Sequence, residues 1–170
     1  FSRYKTLEDV YANLRLLAYE LGAEAKAEAL IDSCKARVAA LRGRLQGSRP
    51  VRILAPSIYG MLAGADTTFQ DLCDHAGAEN VAATVGGLAG QASAPSERML
   101  TWPIDVLVVS GDDKESALAP YRDLLPYKLM PSVREGRAVL MPENLLACVS
   151  HHRIDGYERL ARLLHPEVFR

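Results

Sequence analysis

An unusually long helical pattern at the start of the chain constrains the fold more than any other feature of the sequence. Apolar residues recur at spacings of three and four from residue 7 to residue 45, with an interruption at Gly22. Thr6 can cap this helix, and Asp9 occupies the acidic position of a capping box. The mean helix has only about 11–12 residues. The pattern therefore predicts one long helical element over residues 6–45, with a kink expected at Gly22. A helix of this length connects distant parts of a structure.

Apolar strands alternate with helical segments after this helix. Residues 51–55 form a short apolar run, residues 105–110 form a continuously apolar one, and residues 137–141 provide the last. A strand that is apolar at every position is covered on both faces, as in parallel sheets. We therefore predict an α/β fold with an open, mainly parallel sheet of four or five strands and helices on both faces. The long helix occupies residues 1–47, and the α/β unit occupies residues 48–170.

The segments between these strands predict shorter elements from their capping and turn residues. In chain order they are a helix over residues 67–76 closed by Gly77, a short strand over residues 80–83, a helix opened by residues 95–97, and a final helix over residues 152–164. Together with the apolar runs, they complete the alternation of strands and helices.

Composition narrows the class of protein and of partner. The chain has 170 residues, enough for one compact domain with a sizeable core. Its formal net charge is −1 and it has no long basic run, so nucleic acid has little support as a partner. No apolar stretch approaches the ~20 residues that span a bilayer. The cysteines Cys34, Cys73 and Cys148 form no CxxC pair, and we interpret them as small buried hydrophobes.

The residues best suited to binding concentrate in two loops that follow predicted strands. In open parallel sheets, ligands bind beyond the carboxyl ends of the strands. The loop at residues 56–66 carries Tyr59 and Met61, whose side chains suit the apolar face of a ligand. The loop at residues 142–152 carries carboxylate, amide and imidazole groups, on Glu143, Asn144, His151 and His152. We expect all of these side chains to lie around one concave edge of the sheet.

A catalytic interpretation of the second loop leaves two alternatives open. Residues 150–155 include the residue types of a hydrolase triad, but adjacent residues rarely face one another and the GxSxG elbow is absent. Cys148, His151 and His152 could instead ligate a metal or a haem iron. The alternative to ligation is a structural role, in which Cys148 packs inward and the histidines flank the final helix. A metal-dependent or redox enzyme domain that uses these three residues is thus the second functional hypothesis.

Several segments resemble the helical-backbone class of periplasmic binding proteins, which includes receptors for siderophores, haem and vitamin B12. The run LEDVYANLRLL at residues 7–17 resembles the start of that family's linking helix. The run VREGRAVL at residues 133–140 is similar to its AVxxGRV turn and strand, and LARLLHPEVF at residues 160–169 is similar to its closing helix and tail. Further matches lie between them in the order of the family, at residues 52–55, 64, 76–81, 96–100 and 103–109.

The resemblance implies two α/β lobes joined by one long helix, with the ligand held between the lobes. It implies that residues 1–47 are this inter-lobe helix, that residues 48–170 are the C-terminal lobe, and that the first lobe lies outside this chain. Part of the apolar face of the helix should then be exposed, or buried in self-association through that helix.

The resemblance also implies a function, that of the solute-binding component of an ABC importer. Such a protein captures an iron chelate or a tetrapyrrole and delivers it to a membrane permease without catalysis, from a periplasmic or lipid-anchored location and with no cofactor besides the ligand. Members bear a surface glutamate on each lobe that meets permease arginines, and Glu97 occupies that position here. The loops at residues 56–66 and 142–152 contain no arginine, which favours a tetrapyrrole or a neutral chelate over an anionic siderophore.

Overall fold

Within residues 3–170, which the computed structural model describes, a four-stranded parallel sheet forms the centre of the protein. The strands, in chain order, are β1 (Val51–Leu54), β2 (Met61–Ala63), β3 (Ala78–Asn80), β4 (Gln91–Ser93), β5 (Val106–Val109) and β6 (Ala138–Leu140). The central sheet has the order β3-β1-β5-β6, and all of its pairs are parallel. Strands β2 and β4 form a separate antiparallel pair. The predicted open, mainly parallel sheet is confirmed.

Helices cover both faces of this sheet, as predicted. In chain order they are α1 (Leu7–Leu21), α2 (Glu24–Leu45), α3 (Thr68–Ala76), α4 (Val81–Thr84), α5 (Lys114–Asp123), α6 (Pro131–Arg134), α7 (Glu143–Leu146) and α8 (Arg153–Leu164). No helix in the described part of the chain combines the length and the apolar character needed to cross a membrane.

The alternation of side chains along the central strands creates two hydrophobic cores. Ile53 and Val108 point to one face, where they pack with buried residues of α1, α2, α3 and α8. Leu54 and Leu107 point to the other face, where they pack with residues of α4, α5 and α6. Successive residues of a strand face opposite sides of a sheet, so a continuously apolar strand requires both cores.

Residues 7–45 form a helical hairpin instead of one long helix. Helix α1 ends at Gly22, which adopts the left-handed conformation at φ 60°, and α2 follows immediately. Arg15 Nε lies 2.6 Å from Glu28 Oε1, whereas thirteen residues of continuous helix would separate these positions by about 20 Å along the axis. The prediction of a single, kinked helical element is therefore wrong. The left-handed glycine redirects the chain, so that α2 runs back along α1.

Local chemistry explains most of the shorter elements, and two differ from the prediction. Helix α3 follows the N-cap Thr67 and ends at the left-handed Gly77, as predicted. The strand predicted at residues 80–83 overlaps β3 only at Asn80, and its remaining residues belong to α4, since a short apolar run does not distinguish a buried strand from a buried helix. The helix expected after residues 95–97 is a single 3₁₀ turn, Arg98–Thr101.

Candidate functional site

The parallel sheet sends the loops after β1, β5 and β6 to the same edge. The loop after β1 ends in a sharp turn in which Gly60 has a φ of 71°, a conformation that favours glycine. Tyr59 precedes this glycine and is 86% exposed. Met61 follows it as the first residue of β2 and is also exposed. The predicted site residues of this loop thus lie at or beside its tip.

Glu143 and Asn144 lie on the first turn of α7, which follows β6 directly. Both side chains are exposed. Helix α7 is only one turn long, and the chain then enters the turn that leads into α8. These two residues therefore occupy the same edge of the sheet as the loop after β1.

The turn before α8 brings His151 and His152 together. Their ring centroids are 4.1 Å apart, with the planes tilted by 36°. His152 Nδ1 lies 3.4 Å from Asp155 Oδ2. Burial, followed by the neighbouring His152, lowers the pKa of His151 below its ordinary value. At neutral pH the His151 imidazole is therefore neutral, the form that can coordinate a metal or accept a hydrogen bond.

His151 lines an apolar groove that sequence reasoning missed. The groove has a volume of about 510 Å³ and lies between α1 and the turn before α8. Its lining residues are Tyr4, Val10, Asn13, Leu14, Leu17, Val149, Ser150 and His151. The helical hairpin creates this groove, because it folds α1 back toward the turn before α8. The signal in the sequence was the stripe of leucines and valine along α1, but these residues were assigned to one long connecting helix instead of to a groove.

Two groups of predicted residues follow parallel strands of the same sheet but are not joined to each other by hydrogen bonds or ring contacts. Tyr59 and Met61 belong to the loop after β1, whereas His151 and His152 belong to the turn before α8. Within residues 3–170, no hydrogen bond or ring contact joins one group to the other. Their convergence around one ligand stays a prediction.

The hydrolase triad has no geometric support. Ser150 Oγ accepts a hydrogen bond from the backbone N–H of His152 at 3.3 Å. The imidazole of the same histidine points to Asp155 instead. A triad requires the serine hydroxyl to donate to the imidazole that the acid orients, and these three residues do not make that chain of contacts.

The metal-site interpretation also gains no support. Cys148 Sγ lies 3.5 Å from Ser150 Oγ. In the described part of the chain, no group of three or more His, Cys, Asp or Glu side chains is arranged to hold a metal ion. An enzyme that depends on Cys148, His151 and His152 as metal ligands would need such a group.

Glu97 lies in the segment that enters the 3₁₀ turn before β5. Its side chain is exposed, and its carbonyl accepts a hydrogen bond from Leu100 N at 3.3 Å. Among residues 3–170 the structure gives its carboxylate no ion-pair partner. The charge is therefore available to a partner surface.

The sequence model of the periplasmic binding protein family matches residues 1–145. The chain belongs to the periplasmic binding protein family. Membership confirms the resemblance of the sequence and indicates a periplasmic location. No curated protein sequence matches the chain significantly.

Solved structures of periplasmic binding proteins share the fold. The haem-binding protein RhuT from Roseiflexus sp. RS-1, in its apo form, has a TM-score of 0.82 at 20% identity, over 96% of this chain and 64% of its own. The haem-binding protein BhuT in complex with two haems has a TM-score of 0.77 at 20% identity, over 98% of this chain and 65% of BhuT. The structure of an ABC-type Fe³⁺-hydroxamate transport system from Saccharomonospora viridis DSM 43017 has a TM-score of 0.74 at 24% identity. The match covers 98% of this chain and 57% of the other. The chain thus spans about three-fifths of the length of these structures.

Proposed function

We propose that this chain forms part of the solute-binding component of an ABC importer, which captures an iron chelate or a tetrapyrrole such as a siderophore, haem or cobalamin. No bond is made or broken in this role, so the protein is not an enzyme. Family membership supports the proposal, as do structural relatives named for haem and Fe³⁺-hydroxamate. The observation that carries it is the wide apolar groove between α1 and the turn before α8, which the imidazole of His151 lines.

The chemistry of this edge favours a ligand with a large apolar surface. Ligand pockets are mostly apolar, with a few polar groups that fix orientation. The groove fits this description, since His151 and Ser150 supply polar groups among aliphatic and aromatic side chains. A neutral imidazole can ligate haem iron or bond a propionate. The loops at residues 56–66 and 142–152 offer no arginine to an anionic siderophore, so a tetrapyrrole or a neutral chelate suits them better.

The apolar face of α1 supports the presence of a second lobe in the intact receptor. Leu16, Leu17, Tyr19 and Leu21 are exposed on this helix. Monomeric soluble proteins rarely leave large contiguous apolar patches uncovered. We propose that residues 1–47 join the lobe formed by residues 48–170 to another lobe, and that the ligand lies between them. Half of such a cleft cannot enclose a ligand, so this chain alone should bind more weakly than the two-lobed receptor.

Glu97 is proposed as the contact with the permease. Its exposed carboxylate suits pairing with an arginine of a partner. It follows β4 and precedes β5.

The proposed site is tested by Tyr59→Ala and His151→Ala, each with His152 retained, in the two-lobed receptor. Each variant is titrated with haemin, cobalamin and a ferric hydroxamate. We expect the Kd for the ligand that binds to rise about tenfold, which corresponds to ~1.4 kcal/mol. Leu163→Ala, an exposed apolar residue near the far end of α8, is the control and should leave the Kd unchanged. Unchanged affinity in both site variants, for every ligand that binds, would remove the proposed site.

A further inference from the structure

The loop between β1 and β2 combines an exposed apolar tip with a firmly held backbone. The tip is formed by Ile58 and Tyr59, which are 50% and 86% exposed. Ser57 Oγ accepts a hydrogen bond from Tyr59 N at 3.1 Å. Gly60 O accepts one from Ala94 N at 2.8 Å. The backbone of Tyr59 and Gly60 is thus held in place, and Ile58 lies between Ser57 and Tyr59 in the same turn, although neither exposed side chain is buried.

Two tyrosines far along the chain make further contacts to the same loop. The Tyr121 hydroxyl donates a hydrogen bond to Pro56 O at 3.1 Å. The Tyr127 hydroxyl donates to Ser57 O and accepts from Ser57 N, both at 3.3 Å. Three hydrogen bonds therefore tie the base of the loop to the segment that contains α5 and the turn after it.

The tyrosine rings are themselves fixed in the second core. Their centroids are 5.2 Å apart in an edge-to-face arrangement of 76°. Tyr127 is 2% exposed and packs in the cluster that includes Leu54 and Leu118. Burial raises the pKa of both phenols above the ordinary value, so each hydroxyl keeps its proton at neutral pH. The loop is therefore held from a rigid part of the structure.

We infer that Tyr121 and Tyr127 are positioning residues for ligand binding, which hold Ile58 and Tyr59 as a preorganised apolar contact for the bound chelate. The inference rests on the proposed function and adds Ile58 to the residues that touch the ligand. A loop that is ordered before binding loses less conformational entropy when the ligand binds. Affinity should therefore depend on two hydroxyl groups that do not contact the ligand.

The test uses Tyr121→Phe, Tyr127→Phe and the double variant in the two-lobed receptor. Each is titrated with haemin, cobalamin and a ferric hydroxamate. Hydrogen exchange of the backbone amides in the 56–60 loop, those of residues 57 to 60, is followed in the unliganded protein. We expect exchange in this loop to accelerate at least tenfold in the double variant, and the Kd of the bound probe to rise about fivefold. Thr101→Val removes an exposed hydroxyl that donates to Arg98 O in the 3₁₀ turn before β5, and it should change neither measurement.

A second comparison separates positioning from a general structural role. In an Ile58→Ala/Tyr59→Ala background, the loop tip no longer contacts the ligand. Adding Tyr121→Phe and Tyr127→Phe should then leave the Kd unchanged, while hydrogen exchange in the loop still accelerates. An equal loss of affinity in both backgrounds, or unchanged exchange at residues 56–60, overturns the inference. If Tyr59→Ala weakens binding but the tyrosine variants do not, the inference fails and the proposed site stands. If no probe binds, or Tyr59→Ala and His151→Ala are without effect, the proposed function fails and the inference with it.

Discussion

Asp71 and Arg153 form an ion pair in which both side chains are almost completely buried. Arg153 Nη1 lies 3.4 Å from Asp71 Oδ2, and only 3% and 7% of the arginine and aspartate side chains are exposed. The same carboxylate accepts hydrogen bonds from Leu7 N at 3.1 Å and from the Tyr157 hydroxyl. Arg153 Nη2 donates to Lys5 O at 3.1 Å. One charged pair therefore joins the start of α1 to α3 and to α8, the helix that follows the two histidines.

We expect Asp71→Asn to lower the free energy of unfolding by about 3–5 kcal/mol, because Arg153 then remains buried without its counter-charge. Urea denaturation of the wild type and the variant measures the loss. Asp74→Asn, at an exposed position of the same helix, is the matched control and should cost no more than about 0.5–1 kcal/mol. Adding Arg153→Met to Asp71→Asn removes the unpaired charge and should restore part of the stability. A loss no larger than that of the control would contradict the assigned role of the pair.

Most elements of the fold could be predicted because local chemistry determines them. The apolar run of β5, the Thr67 cap and the left-handed Gly77 all act within a few residues of their own positions. The helical hairpin could not be predicted in this way. Gly22 signals an interruption, but the direction of the chain beyond it depends on tertiary contacts such as that between Arg15 and Glu28.

The sequence predicts those features of the candidate site that follow from the order and direction of the strands. Parallel strands send the loop with Tyr59 and the start of α7, with Glu143 and Asn144, to one edge of the sheet. The apolar groove depends on the hairpin, so its α1 lining could not be inferred before the hairpin was known. Ile58 carries no pattern in the sequence, since a single aliphatic residue in a loop gives no periodicity. Its exposure, beside the anchored backbone of Tyr59, becomes visible only in the structure.

The lowered pKa of His151 predicts a loss of stability in mild acid. The folded protein takes up this proton at a lower pH than the unfolded chain does, so protonation favours unfolding. The effect is absent above the ordinary histidine pKa of about 6.5 and grows as the pH falls below it. His151→Asn should therefore reduce the fall in the urea midpoint between about pH 7 and about pH 5. An NMR titration of the His151 ring that gives a pKa at or above the ordinary value would refute this explanation.

The exposed face of α1 predicts self-association of the 170-residue chain. Apolar side chains within residues 1–21 were expected to be exposed in a monomer. Tyr19 and Leu21 are exposed in the structure, and Phe1 lies outside the described residues. Burying such a face between two copies removes apolar surface from water. Tyr19→Lys/Leu21→Lys should therefore shift the chain toward the monomer in light scattering at high protein concentration.

The control for this experiment changes an equally exposed apolar pair elsewhere. Leu125 and Leu129 lie near the 3₁₀ turn Tyr127–Leu129 and are similarly exposed. Leu125→Lys/Leu129→Lys adds the same charge without altering α1, so the degree of association should not change. A wild-type chain that stays monomeric at every concentration would argue against an uncovered lobe interface on α1.

The position of Glu97 predicts that transport and ligand affinity can be separated. In the intact receptor, Glu97→Arg places a positive charge opposite the permease arginines proposed to meet it, and like charges across a docking site repel by several kcal/mol. Uptake into cells or proteoliposomes that contain the permease should fall at least about tenfold, whereas the Kd for the ligand should not change. Glu24→Arg makes the same charge change at an exposed position of α2 and should leave uptake intact. Equal losses of binding and uptake would show instead that Glu97 serves the cleft or the fold, because a residue used only for docking has no reason to alter the affinity of the free receptor.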